Sequence, residues 1–214
     1  MLANNMAKTG VALAIFALIG TALLALTNEI TKDRIAEEER LFTLRTLGEM
    51  VPDVFYDNDL VADSFQLIAP GYLGNANPKT IYRARKHNAP VAAVISTTTP
   101  DGYSGNIDLL VAINIDGKLM GVRVIKHKET PGLGDGIDIQ RNDWISRFDG
   151  HSLNNPGKRG WAVKKDGGIF DQLTGATITP RAVVKAVHLC LQYFNQQQSL
   201  IFSAESDKII DTSE

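Results

Sequence analysis

The order of apolar and polar positions divides the chain before any chemistry is considered. From Val11 to Leu26 only Gly20 and Thr21 interrupt an apolar run. With Thr9, Gly10 and Thr27 the run covers residues 9–27, and a helix needs about 17–25 such residues to cross a bilayer. The rival reading, a cleaved signal peptide, expects an apolar region of about 7–15 residues and a small-x-small site. Ala25-Leu26-Thr27 is the nearest candidate and a poor one, so the pattern predicts an uncleaved anchor behind a polar leader of residues 1–8. From Thr31 to Val51, Ile35, Leu41, Leu44, Leu47 and Val51 mark one side of an amphipathic helix that Pro52 ends. Residues 57–78 have no sustained period and predict loops with one short strand.

The folded core is predicted to begin near Lys79. Residues 80–85 and 91–97 read as strands around His87-Asn88-Ala89-Pro90, a turn composition. Residues 107–115 and 118–126 alternate around Asp116-Gly117, the strongest short hairpin signal. Residues 139–148 suit a short helix with Trp144 and Ile145 inward, and 161–170 read as a strand and turn. A last helix follows Thr179, placed as its N-cap, and Pro180, with Val183, Val184, Val187, Leu191 and Phe194 at helical spacing. Residues 199–214 read as a polar, frayed tail. The expected fold is α+β: one transmembrane helix, a connecting segment over 28–78, then over 79–198 an antiparallel-sheet domain with flanking helices.

Composition narrows the function mainly by exclusion. The 214 residues carry 22 basic and 24 acidic side chains, a net charge of −2 that does not suggest nucleic acid. Cys190 is the one cysteine, which rules out an internal disulfide, a Cys-pair zinc site and Cys₄ cluster ligation. His87, His127, His151 and His188 have no mutual spacing that suggests a metal site, and no general acid–base pair can be defended.

Two loops carry the candidate chemistry. Residues 127–136 pack three glycines and a proline into ten positions, and such glycines let a backbone approach a flat ring. The spacing is not G-x-G-x-x-G and no βαβ pattern surrounds it, so a Rossmann site is rejected; taken alone, the loop reads as a tight turn. The second loop, Asp171-Gln172-Leu173-Thr174-Gly175-Ala176-Thr177, ends at the start of the last helix. Read from its residues it is a capped helix start and secondarily an anion site, since free N–H groups and the dipole favour negative charge there. Lys164 or Lys165 could steady charge on a reduced cofactor, beside the plainer reading of solvated turn lysines.

Asp-x-x-Thr-Gly-Ala-Thr resembles the flavinylation motif of bacterial FMN-binding domains. Gly102-Tyr103-Ser104-Gly105, Glu129-Thr130-Pro131-Gly132-Leu133-Gly134 and Trp161-Ala162-Val163-Lys164-Lys165 match that family in order. With the N-terminal segment, the chain is similar to the G-subunit family of the Rnf (Rsx) electron-transport complexes. The resemblance implies FMN joined by a phosphoester to Thr177, with Asp171, Thr174, Gly175 and Ala176 completing the motif. It also implies that Glu129, Thr130, Pro131, Gly132, Leu133 and Gly134 line the flavin ring.

By the same resemblance the chain is expected to be an electron-transfer subunit of an ion-translocating oxidoreductase of the inner membrane; its residues themselves show no independent substrate-transforming site. Its partners are subunits carrying iron–sulfur clusters and flavin, and a flavin transferase. The resemblance implies an N-in anchor and a periplasmic domain. Lys32, Arg34, Arg40 and Arg45, which follow the apolar run, favour the opposite side by count. Three alternatives stand beside this reading: the flavin subunit of a sodium-pumping NADH:quinone reductase, a stand-alone flavin reductase, and a tethered binding module with an unmodified Thr177.

Overall fold

The computed structural model describes residues 2–212. It divides into two units, Met1–Arg45 and Thr46–Glu214. The first consists of helix α1 (Leu2–Met50) as far as Arg45. Within it Gly10–Ile35 is long and apolar enough to cross a membrane, and none of that stretch is buried. The amphipathic helix expected over 31–51 is the unbroken continuation of α1. Its apolar side is not covered as far as Leu44: Ile35 is 52% and Leu44 37% exposed. Leu47, Met50 and Val51, in the second unit, are buried, as is Thr46 beside them. The helix stops just before Pro52, whose ring disfavours helical backbone at the residue preceding it.

The second unit is built on a six-stranded sheet with the order β5-β4-β3-β2-β1-β6. In chain order the elements are β1 (Ser64–Ile68), α2 (Pro70–Leu73), β2 (Lys79–Lys86), β3 (Ala89–Gly102), β4 (Gly105–Asn114), β5 (Leu119–Lys126), α3 (Ile178–Ser203) and β6 (Ile209–Asp211). β1 to β5 pair antiparallel. The β2–β3 turn places His87 and Asn88 at φ 50° and 65°, the left-handed pair a two-residue hairpin needs. The β4–β5 turn has Gly117 at φ 76°, and the Asn114 side chain accepts from the N–H groups of Asp116 and Lys118. Successive strand residues point to opposite faces. Ala93, Ile95, Ile107, Leu109, Val111 and Ile113 join α3 in the main core. Ala92, Val94, Leu110 and Ala112 form a smaller core with Leu47, Met50 and Val51.

Two expectations are corrected. The sheet is mixed, because β6 runs parallel to β1. The segment from residue 199 is also not a frayed tail: α3 continues to Ser203, Ile201 is fully buried, and β6 closes the sheet edge. Arg83 holds this end in place. Its guanidinium is buried over the Phe65 ring, pairs with Asp63 at 2.5 Å, donates to the Ala204 carbonyl and bonds Ser206 at 2.8 Å. Polar composition concealed these contacts, since they run to backbone and to one buried cation.

Candidate functional site

Between β5 and α3 the chain has little regular structure: short 3-10 turns at Gly134–Ile137, Asp143–Phe148 and Lys164–Asp166, with loops between them. The middle turn replaces the helix expected over 139–148. Asn142 caps it by accepting from the Trp144 N–H at 2.8 Å, and Trp144, Ile145 and Phe148 are buried. The strand expected from Trp161 is reduced to a single bridge between Val163 and Phe170. There the chain doubles back so tightly that a Cβ on Gly168 would lie 1.9 Å from the Ala162 carbonyl oxygen.

The two candidate loops meet through reciprocal leucine-on-glycine contacts. Thr174 and Gly175 form a turn closed by the Ala176 N–H on the Leu173 carbonyl at 3.0 Å, with Gly175 at φ 77°. A Cβ on Gly175 would stand 2.9 Å from Leu133 Cδ2, and one on Gly136 3.0 Å from Leu173 Cδ2. The glycines therefore let the loops interlock. The 129–136 loop also closes on itself: the Thr130 carbonyl accepts from Leu133 and Gly134, and Asp135 Oδ1 accepts from the Gly132 N–H at 2.8 Å.

Above this junction lies a cleft of about 540 Å³. Its walls come from three places: Tyr103 at the β3–β4 turn, Glu129, Thr130, Leu133 and Gly134 from the first loop, and residues 175–179 from the second. Tyr103, Leu133 and Ile178 remain 69%, 47% and 46% exposed at its rim. Thr177 is the half-buried N-cap of α3, but its backbone is helical (φ −97°, ψ −30°) and its side chain makes no capping hydrogen bond. Thr179, expected as the cap, lies two residues further on, inside the first turn. It is fully buried, and its hydroxyl donates to Glu129 Oε2.

Of the residues expected at the site, Thr177, Gly175, Ala176, Glu129, Thr130, Leu133 and Gly134 share this cleft. Pro131, Gly132 and Thr174 line an adjoining hollow across Leu133. Asp171 and Lys164 lie in neither. They form an ion pair at 2.5 Å, joined by Arg147 at 2.7 Å from the other carboxylate oxygen. The Lys164 hydrogen bond, with help from Arg147, holds the Asp171 carboxyl below the usual carboxylate range. The Asp171 carbonyl also accepts from Trp144 Nε1 at 2.7 Å. Three wall residues were missed by reading the sequence, Tyr103, Ile178 and Thr179, the last read only as a cap. Tyr103 lay inside a quoted motif, but only the fold brings the β3–β4 turn to α3.

The site can be tested for fit to a flavin mononucleotide. The volume lies in the usual range for small-ligand clefts, about 300–1,000 Å³. The rim offers flat or branched apolar side chains for a ring system, and Thr177, whose hydroxyl makes no capping bond, lines the cleft at a helix start. The residues fit.

Comparison with known proteins agrees. The family described as FMN-binding domain matches residues 102–192, and the one described as RnfG N-terminal region matches 1–50. A protein of Pseudomonas aeruginosa, named as the G subunit of an ion-translocating oxidoreductase complex, is 46% identical over 202 residues, covering 94% of each chain. Proteins of the same name from Shewanella baltica and Yersinia pestis are each 48% identical, covering 94% and 96% of this chain. The chain belongs to this G-subunit family. Its N-terminal family segment contains the candidate span, and its FMN-binding segment runs from the tip of β3 into α3, enclosing every wall of the cleft.

Proposed function

We propose that this chain is the FMN-bearing electron-transfer subunit of an Rnf-type ion-translocating oxidoreductase, with the cofactor esterified to Thr177. The observation that carries the proposal is the uncommitted hydroxyl of Thr177 at the helix start, inside a cleft whose other walls belong to the FMN-binding family segment. FMN, when bound, supplies reversible electron transfer, and the protein supplies position, shielding and tuning. Thr177 Oγ1 would hold the phosphoryl end. Gly175 and Ala176 keep the backbone low beside it. Leu133, Tyr103 and Ile178 present apolar surface to the ring and exclude water from part of it. Covalent attachment suits a single-cofactor relay, because a lost flavin is not readily replaced.

The reading extends to the surroundings. Gly10–Ile35 is the single membrane span among the described residues, and the FMN domain lies in the periplasm, as the family resemblance implies. The ion path and the iron–sulfur clusters belong to other subunits of the complex, and a flavin transferase forms the ester. The Rnf assignment is preferred to the flavin subunit of a sodium-pumping NADH:quinone reductase because the relatives above match at near full length on both sides.

Peptide mass spectrometry on protein from its native membrane tests the attachment. The peptide spanning Thr177 is expected to carry FMN less one water. Thr177→Ala should lose all flavin that survives denaturation, while Thr174→Ala weakens retention less. Flavin retained covalently in Thr177→Ala would refute the assignment. Protease added to spheroplasts checks the side: the domain should be digested.

A further inference from the structure

We propose that Glu129 is a positioning residue that clasps the Tyr103 turn to the first turn of α3, and so sets how closed the flavin cleft is. The inference rests on the FMN reading above, and it gives Glu129 a different task from contact with the ring. The Glu129 side chain is 4% exposed. Oε1 accepts from the Ser104 N–H at 2.9 Å, and Oε2 accepts from the Thr179 hydroxyl. Ser104 follows Tyr103 in the β3–β4 turn, and Thr179 lies two residues beyond Thr177. One carboxylate therefore ties together two walls of the cleft that are far apart in sequence.

The surroundings are built around that carboxylate. A Cβ on Gly102 would stand 2.9 Å from Oε1, and one on Gly134 would stand 2.9 Å from Oε2. Both positions lack side chains where the carboxylate is seated. A buried carboxylate is tolerated only when its oxygens are hydrogen-bonded, and the N-terminal end of α3 adds a favourable dipole. The anion at this helix start is thus in the first place the protein's own. The Tyr103 ring, 69% exposed, has no burial of its own to hold it over the cleft. Its position depends on the turn, and the Glu129 carboxylate is a direct side-chain tie from that turn to the α3 wall.

The geometry separates a clasp from a charge. Glutamine at 129 can still accept from the Ser104 N–H through its carbonyl oxygen. Its amide can donate to the Thr179 oxygen once that hydroxyl turns to accept. Glu129→Gln therefore keeps the tie and loses the charge, whereas Glu129→Ala loses both.

The test uses the full chain in detergent, as wild type, Glu129→Gln, Glu129→Ala and Thr179→Val. Hydrogen exchange at the Ser104 amide is read first, because it needs no flavin. Iodide quenching of the covalent flavin is read second. Loss of a hydrogen bond to a charged group should speed exchange at Ser104 by about tenfold or more in Glu129→Ala. Quenching should rise with it, Thr179→Val should show a smaller rise in both, and Glu129→Gln should stay near wild type. The proposal is overturned if Glu129→Ala leaves both readouts unchanged, or if Glu129→Gln matches Glu129→Ala. Should Glu129→Ala not fold, Thr179→Val against Glu129→Gln decides the question by the same readouts. A wild-type Thr177 peptide without FMN would sink the functional reading instead, and the exchange data would still decide the clasp.

Discussion

Gly175→Ala perturbs the junction on which the cleft rests, and its cost can be worked out from two terms. Gly175 sits at φ 77°, and an L side chain in that left-handed region costs about 1–2 kcal/mol. The new Cβ would also lie 2.9 Å from Leu133 Cδ2. Leu133 is 47% exposed, so it can swing away instead of forcing the backbone; holding it off its rotamer costs about 0.5–1.5 kcal/mol. The sum is about 1.5–3.5 kcal/mol, less than the about 5–15 kcal/mol that keeps a domain folded. The variant should therefore fold, unfold at lower denaturant, and carry less flavin at Thr177. Denaturant unfolding of the full chain, followed by the fluorescence of the buried Trp144 and Trp161, measures the first quantity. Intact mass measures the second.

A double-mutant cycle then separates the two terms. Leu133→Ala placed in the Gly175→Ala background removes the contact but leaves the backbone strain, so only about 0.5–1.5 kcal/mol should show as coupling. Gly175→Ala within about 0.5 kcal/mol of wild type, the range of an unconstrained surface change, would refute the argument. Coupling equal to the whole loss would refute its division, because backbone strain would then contribute nothing.

Asp63→Ala should cost about 3–5 kcal/mol, because it strips the buried Arg83 of its carboxylate and frees Arg85 as well; denaturant midpoints check the loss, and amides of β6 should exchange faster. His188 is stacked on Trp161 with ring centroids 5.3 Å apart, and burial holds its pKa below the ordinary 6.5. The folded state thus binds the proton less readily than the unfolded chain, so this contribution to stability is complete above pH 6.5 and falls as pH drops below it. His188→Gln should flatten that slope in unfolding curves taken between pH 7 and about 5.

What could be read from the sequence follows the range of the forces involved. The anchor, the strand pairs and the last helix depend on local period and turn chemistry, and Asp116-Gly117 and the valine spacing of α3 mark them directly. The mixed sheet edge escaped because β6 is a short strand whose place depends on Arg83, more than a hundred residues away in the chain. Thr179 suits an N-cap by type, yet a buried carboxylate fifty residues upstream takes its hydroxyl. The motif residues themselves could be read only by resemblance. Their spacing names a loop at a helix start and nothing about which side chains face the cleft.

That last distinction changes how the motif should be understood. Its residues divide into an inner group that forms the cleft wall, Gly175, Ala176 and Thr177, and an outer brace. In the brace, Asp171 is gripped by Lys164 and Arg147 while its own carbonyl holds Trp144. Trp144 packs edge-on against Phe148, which stacks on Phe170 with centroids 4.6 Å apart. Phe170 immediately precedes Asp171. The loop is thus pinned to the core at its first residue and to the helix at its last, leaving the Thr174–Gly175 turn between two fixed ends. Lys164, read from the sequence as able to steady charge on a reduced cofactor, is part of the pin through its pair with Asp171. A relay needs a cofactor that is held in place yet reachable, and with the attachment proposed at Thr177 the loop would meet both demands, its charged contacts lying outside the cleft and Thr177 in the cleft wall.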